Sequence, residues 1–118
     1  MRARWWMVVF GVVVVGHLLA LYWPRVDVGN PPRGTDKVVH LLLFAIPVLA
    51  GALAFDRRWL IVVAALVIHA PVSEAVQSLA LPDRVGSLSD LLANLVGVAV
   101  GVGVGWWARR LRSRPLVD

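Results

Sequence analysis

Polar side chains interrupt an otherwise apolar sequence in pairs, and each pair has the spacing of neighbours on one helix face. The pairs are Asp36 with His40, Glu74 with Gln77, and Asp90 with Asn94. Residues three or four apart on a helix contact each other. A carboxylate beside an imidazole can exchange a proton near neutral pH, because small changes in environment decide the charge of histidine. We therefore predict that Glu74 and His40 form a catalytic proton-exchange pair.

Each pair lies in, or at the edge of, a long apolar segment. Of the 118 residues, 59% are hydrophobic and 16% are charged, whereas soluble domains contain about 25% charged residues. About 20 consecutive apolar residues are enough to cross the hydrocarbon core of a bilayer. The sequence therefore predicts a single all-α domain over 1–118, a polytopic membrane protein rather than a soluble, disordered or all-β one. Its four transmembrane helices are expected at about 5–23, 38–55, 59–81 and 88–108.

The basic residues are distributed unequally between the two ends of these segments. One end has Arg2, Arg4, Arg57, Arg58, Arg109, Arg110, Arg112 and Arg114, whereas the other has Arg25, Arg33, Lys37 and Arg84. Because basic residues accumulate in cytoplasmic loops, we expect an antiparallel bundle with both termini in the cytoplasm. The segment 24–37 is then an extracytoplasmic loop and 109–118 a basic cytoplasmic tail. A cleaved signal peptide is the alternative for the first segment, but that segment is not followed by small residues.

This orientation places the three polar pairs toward the extracytoplasmic face. Ionisable groups in a bilayer are costly unless they are paired or hydrated, and by default they face the bundle interior. We therefore expect the pairs to converge on a water-accessible pocket. Its predicted ligand-binding residues are Asp36, Lys37, Gln77, Arg84, Asp90 and Asn94. The two cations would bind a phosphate or carboxylate group, and the two amides would orient the ligand.

Some of these residues also have a purely structural interpretation. Ser87 and Asp90 have the spacing of a capping box, in which Asp90 would complete the start of the fourth helix. In the alternative, Asp90 holds Arg84 in place within the pocket. Asp36 or Thr35 could cap the second helix in the same way. A carboxylate inside a membrane helix needs a partner, so Glu74 could instead form an ion pair that only holds helices together.

Two further groups of residues predict helix packing rather than chemistry. His17 lies mid-segment with glycines around it, and His69 lies one turn before Glu74 with Pro71 between them. We expect both histidines to form hydrogen bonds between helices. Gly97 and Gly101 have the small-xxx-small spacing that lets two helix backbones approach closely. That glycine face predicts a homo-oligomer.

Other kinds of site find no support in the sequence. There is no cysteine, and no recognised ligand spacing predicts a metal ion. No glycine-rich phosphate loop predicts a cofactor. The basic residues flank apolar segments, which favours membrane lipids over nucleic acid as partners. No motif supplies a nucleophile, so the sequence leaves open whether the protein is an enzyme.

The polar residues occur in the order DKVVH at 36–40, Phe44, EAVQ at 74–77, Arg84 and DLLANLVG at 90–97. This order resembles the VanZ-like family of small bacterial membrane proteins, over residues from about 36 to 101. The resemblance implies a multi-pass protein with four transmembrane helices in the bacterial cytoplasmic membrane. It also implies that these polar positions are those that recur in the family, which includes proteins linked to glycopeptide resistance.

Three functional hypotheses follow. In the first, the outer pocket binds the headgroup of an envelope lipid or a lipid-linked glycan, with acid–base chemistry at Glu74 and His40. In the second, the chain is an accessory membrane subunit whose polar cluster only stabilises helix packing. In the third, it is an outer-leaflet hydrolase or transferase.

Overall fold

The computed structural model describes residues 2–23, 29–81 and 86–114, and every regular element within them is helical. The elements are α1 (Arg2–Tyr22), α2 (Thr35–Ala54), α3 (Trp59–Ala80) and α4 (Leu88–Arg112). Each of the four is long and apolar enough to cross a membrane. The all-helical fold and the four helices of membrane-spanning length are therefore confirmed.

The start of α2 differs from the sequence-based expectation. The helix begins at Thr35 instead of 38, and its N-cap is Gly34 with φ 83°, a left-handed conformation that glycine adopts without strain. Thr35 Oγ1 donates to the carbonyl of Pro32 at 2.7 Å. No side chain caps the helix, so the prediction of a Thr35 or Asp36 cap is wrong.

The central helix of the bundle is α2, which contacts each of the other three helices. Phe44, Val48 and Ala52 follow one another at four-residue intervals and have no exposed surface. This interval is that of a single helix face. By contrast, the buried residues of α1 are His17 and Leu21 alone, so α1 packs closely only in its second half.

A row of glycines on α4 brings that helix against α2. A Cβ atom at Gly97 would overlap the carbonyl of Leu41, and one at Gly101 would lie 2.7 Å from the carbonyl of Ala45. Small residues allow this close approach of two backbones in a membrane bundle. The face that we expected between two copies is thus filled by α2 of the same chain. A homo-oligomer stays a prediction and requires another surface.

Arginines near the end of α4 bind the end of α2. Arg109 Nη1 donates to the carbonyls of Ala52 and Phe55 at 2.8 and 2.6 Å, and Arg112 Nη1 donates to that of Leu53 at 3.1 Å. The last carbonyls of a helix have no partner within the helix, and these guanidinium groups provide one. The sequence predicted only a basic tail over 109–118, whereas α4 continues to Arg112.

Candidate functional site at the start of α2 and α4

One member of each predicted polar pair meets the others where the first turns of α2 and α4 contact the last third of α3. His40 lies in the second turn of α2, Asn94 in the second turn of α4, and Glu74 six residues before the end of α3. Hydrogen bonds join these three side chains. The structure thus brings the central members of the predicted site together.

Asn94 is the link between the imidazole and the carboxylate. Its Nδ2 donates to Glu74 Oε1 at 3.0 Å, and its Oδ1 lies 2.8 Å from His40 Nδ1. Asn94 has no exposed surface and Glu74 is 7% exposed. With its nitrogen donating to Glu74, the amide presents its oxygen to His40.

This arrangement fixes the tautomer of His40. Because the amide oxygen of Asn94 only accepts, Nδ1 of His40 carries the proton and donates it. In the neutral imidazole Nε2 then has a free lone pair, and no described residue makes a polar contact with it. The side chain of His40 is 12% exposed. Nε2 is therefore the atom of this cluster that is available as a hydrogen-bond acceptor or general base.

Glu74 also binds the start of α4. Its Oε2 accepts a hydrogen bond from the backbone nitrogen of Ser87 at 3.2 Å. Ser87 in turn caps α4, because its Oγ accepts from the backbone nitrogen of Asp90 at 3.1 Å. The predicted cap at Ser87 is confirmed, but Glu74 takes the place that a capping-box carboxylate at Asp90 would occupy.

The carboxylate of Asp90 is consequently free to pair with Lys37. The Lys37 ammonium contacts Asp90 Oδ1, and it also lies 3.0 Å from Asp36 Oδ2. The Lys37 and Asp36 side chains are 38% and 62% exposed, so this part is the rim of the cluster. Arg84, which we predicted as a second cation, lies outside the described residues.

Gln77 contacts α1 rather than the other residues of the predicted site. Its Nε2 donates to the carbonyl of Leu21 at 2.9 Å, and Gln77 itself is 3% exposed. The side chain thus binds the end of α1 rather than pointing into the cluster. Asn94 also binds protein groups, so both amide nitrogens have a protein acceptor in this arrangement.

A second hydrogen-bonded group lies between α1, α2 and α3. His17 Nδ1 is 2.6 Å from the carbonyl of Leu43, and His17 Nε2 is 3.2 Å from His69 Nδ1. The hydroxyl of Tyr22 lies 2.6 Å from His69 Nε2. The predicted interhelical hydrogen bonds of the two histidines are confirmed. Sequence reasoning missed Tyr22 and Leu43, although Pro47 was a usable signal because a proline leaves the carbonyl four residues earlier unpaired.

Neither a metal-binding cluster nor a known relative identifies the site. No group of three or more His, Cys, Asp or Glu side chains is placed to hold a metal ion in the part of the chain that the structure describes. The chain is matched by no protein-family model, no curated protein and no solved structure.

Proposed function

We propose that the protein is a VanZ-like protein of the bacterial cytoplasmic membrane that binds the headgroup of an envelope lipid or lipid-linked glycan at its extracytoplasmic end. The four helices would form an antiparallel bundle with both termini in the cytoplasm. The positions of the basic residues support this topology, and the order of the polar residues supports the family.

The observation that carries the proposal is the state of His40. A fully buried amide fixes its Nδ1–H, while Nε2 has no described partner. If the cluster only joined helices, we would expect both ring nitrogens of His40 to form hydrogen bonds with other protein groups. A hydroxyl of a headgroup could donate to Nε2 and, in a reaction, pass its proton to that nitrogen.

Glu74 and Asn94 complete this acid–base unit. Glu74 Oε1 is 3.6 Å from Nδ1 of His40, so the carboxyl group lies beside any positive charge that the imidazole gains. The carboxylate stabilises that positive charge and Asn94 holds the ring in place. Binding alone would use Nε2 as an acceptor, whereas an outer-leaflet hydrolase or transferase would use it as a general base.

The charges around the site favour a particular headgroup chemistry. Asp36, Glu74 and Asp90 supply three carboxylates, and Lys37 is the matching cation among the described residues. Among the contacts of the described residues negative charge is in excess, which favours a hydroxyl-rich or ammonium-bearing headgroup. An anionic headgroup would need Arg84 or a protonated His40.

The test compares the lipids that co-purify with wild type and with His40→Asn, identified by native mass spectrometry of protein released from nanodiscs. Asparagine places an amide nitrogen near the position of Nδ1 and removes Nε2. We expect the variant to keep its thermal stability and to lose a lipid that the wild type retains. A chemically altered lipid with the wild type alone would indicate an enzyme. Equal lipid retention by two equally stable proteins would refute the proposal.

A structural role is the second candidate, because most polar groups of the cluster already bind one another. In that case Glu74→Gln should lower the stability without changing the retained lipids. Leu79→Ala is the matched control, since Leu79 is 88% exposed on the same helix. The headgroup proposal instead requires loss of lipid in His40→Asn at unchanged stability.

A further inference from the structure

Tyr22, His69 and His17 form a continuous hydrogen-bonded chain that ends on the carbonyl of Leu43. The three side chains come from α1 and α3, and the carbonyl comes from α2. No described hydrogen bond or ion pair connects this chain to His40 or Glu74. It is therefore separate from the site at the start of α2 and α4.

The position of Pro47 explains why the chain ends at Leu43. In a helix the carbonyl of residue 43 would accept from the backbone nitrogen of residue 47, but proline has no N–H. A buried carbonyl without a partner is costly in a membrane. His17 Nδ1 supplies the missing donor at 2.6 Å.

The carbonyl sets the direction of every hydrogen bond in the chain. Because it only accepts, His17 Nδ1 carries a proton, and in the neutral ring His17 Nε2 must accept. His69 Nδ1 is then the donor to His17, so His69 Nε2 accepts from the hydroxyl of Tyr22. All four ring nitrogens are satisfied with both histidines neutral, and both have the Nδ1–H tautomer.

We propose that this chain is a proton-binding site that takes up one proton for the two imidazoles. The hydroxyl proton of Tyr22 passes to His69 Nε2 while a proton from water replaces it on the phenol oxygen. The hydroxyl then accepts from Nε2–H, so no hydrogen bond is lost. Transfer of the proton between His69 Nδ1 and His17 Nε2 moves the charge to His17. A second proton is excluded because two N–H groups would face each other.

The partly exposed end of this hydrogen-bonded chain is Tyr22, and the groups that contact the two imidazoles carry no charge among the described residues. Tyr22 is half-buried at the last residue of α1, next to the exposed Trp23. From α2 the histidines face the Leu43 carbonyl and the Phe44 ring. No charged side chain among the described residues contacts either imidazole. This site goes beyond the proposed headgroup function and does not depend on it.

The experiment is nitrogen NMR of the full chain with ¹⁵N-labelled histidine, in lipid nanodiscs, from about pH 8 to about pH 5. Single His17→Gln and His69→Gln variants assign the signals. At the upper pH we expect both histidines to be neutral, with the proton on Nδ1 and none on Nε2. On acidification we expect the pair to take up one additional proton, which the two imidazoles share. The proposal would be overturned if the pair took up two additional protons independently, if it took up none, or if either histidine had the Nε2–H tautomer at the upper pH.

Tyr22→Phe tests the contribution of the phenol while keeping the ring that packs in the bundle. Both forms of the pair lose the hydrogen bond to Tyr22, but the hydrogen bond from a charged imidazolium is the stronger one, so where the pair is only slightly protonated we expect the protonated fraction to fall about fivefold. An unchanged fraction would contradict a hydrogen bond between Tyr22 and the protonated pair. His40→Asn is the control: it removes the nitrogen of the headgroup site and should leave the two signals unchanged, so the two proposals can fail separately.

Discussion

Asn94 donates its side-chain amide to Glu74 Oε1 across 3.0 Å, at a point in α4 where the asparagine has no exposed surface. The hydrogen bond keeps a buried carboxylate paired with a donor. It also turns the amide oxygen toward His40, which fixes the imidazole. The stability of the cluster and the proposed acid–base chemistry therefore depend on the same side chain.

Asn94→Leu should lower the free energy of unfolding by about 1–3 kcal/mol, because it leaves a buried carboxyl group without this donor. Reversible unfolding in mixed micelles measures the change. The double variant Asn94→Leu with Glu74→Leu is the control, and it should lose less than the sum of the two single variants. Additive losses would mean that the two residues do not interact.

The glycines of α4 give a prediction with an internal control. Gly97→Ala should cost about 1–3 kcal/mol, because its Cβ would overlap the Leu41 carbonyl and the helices would have to separate. Gly103→Ala has no atom within 4 Å of the new Cβ, so it should be neutral or stabilising by up to about 1 kcal/mol. Thermal unfolding of both variants tests this. Equal effects would contradict the close contact between α2 and α4.

Helical spacing and the cost of burying charge in a bilayer predicted which residues would meet, and His40, Glu74 and Asn94 do meet. Spacing along a helix and the apolar composition of a segment can both be read from a single sequence, because neither depends on how the helices pack. By contrast, Gln77 Nε2 and His17 Nδ1 bind backbone carbonyls. A carbonyl is present at every position, so its use as a partner depends on how the helices pack, which the sequence alone does not specify.

The contact of Gln77 with α1 separates a packing role from a ligand-binding role. Gln77→Met keeps the length of the side chain and removes the donor to the Leu21 carbonyl, so we expect a loss of about 1 kcal/mol. Native mass spectrometry should find the same co-purified lipids as in wild type. If the variant instead lost the lipid at unchanged stability, that result would support the ligand-orienting role that the sequence predicted.

Arg109 and Arg110 are neighbours with different contacts. Arg109 donates to two carbonyls of α2 and its environment includes the Trp59 ring, whereas Arg110 lies over Trp106 of its own helix. Lysine cannot reproduce a planar fork of donors, so Arg109→Lys should cost about 1–2 kcal/mol. Arg110→Lys keeps the charge and makes the same change in shape, and it should cost clearly less. A comparable loss in both would argue against a specific contact with α2.

The absence of native cysteine allows a direct test of topology. We expect Asn30→Cys to react with a membrane-impermeant maleimide in intact cells, since residue 30 is exposed beyond α1 and the fewer basic residues lie at this end. Arg57→Cys, exposed between α2 and α3, should react only after the membrane is permeabilised. The reverse pattern would put the His40 cluster in the cytoplasm. A headgroup of the outer leaflet could then no longer be its ligand, whereas the contacts between helices would be unaffected.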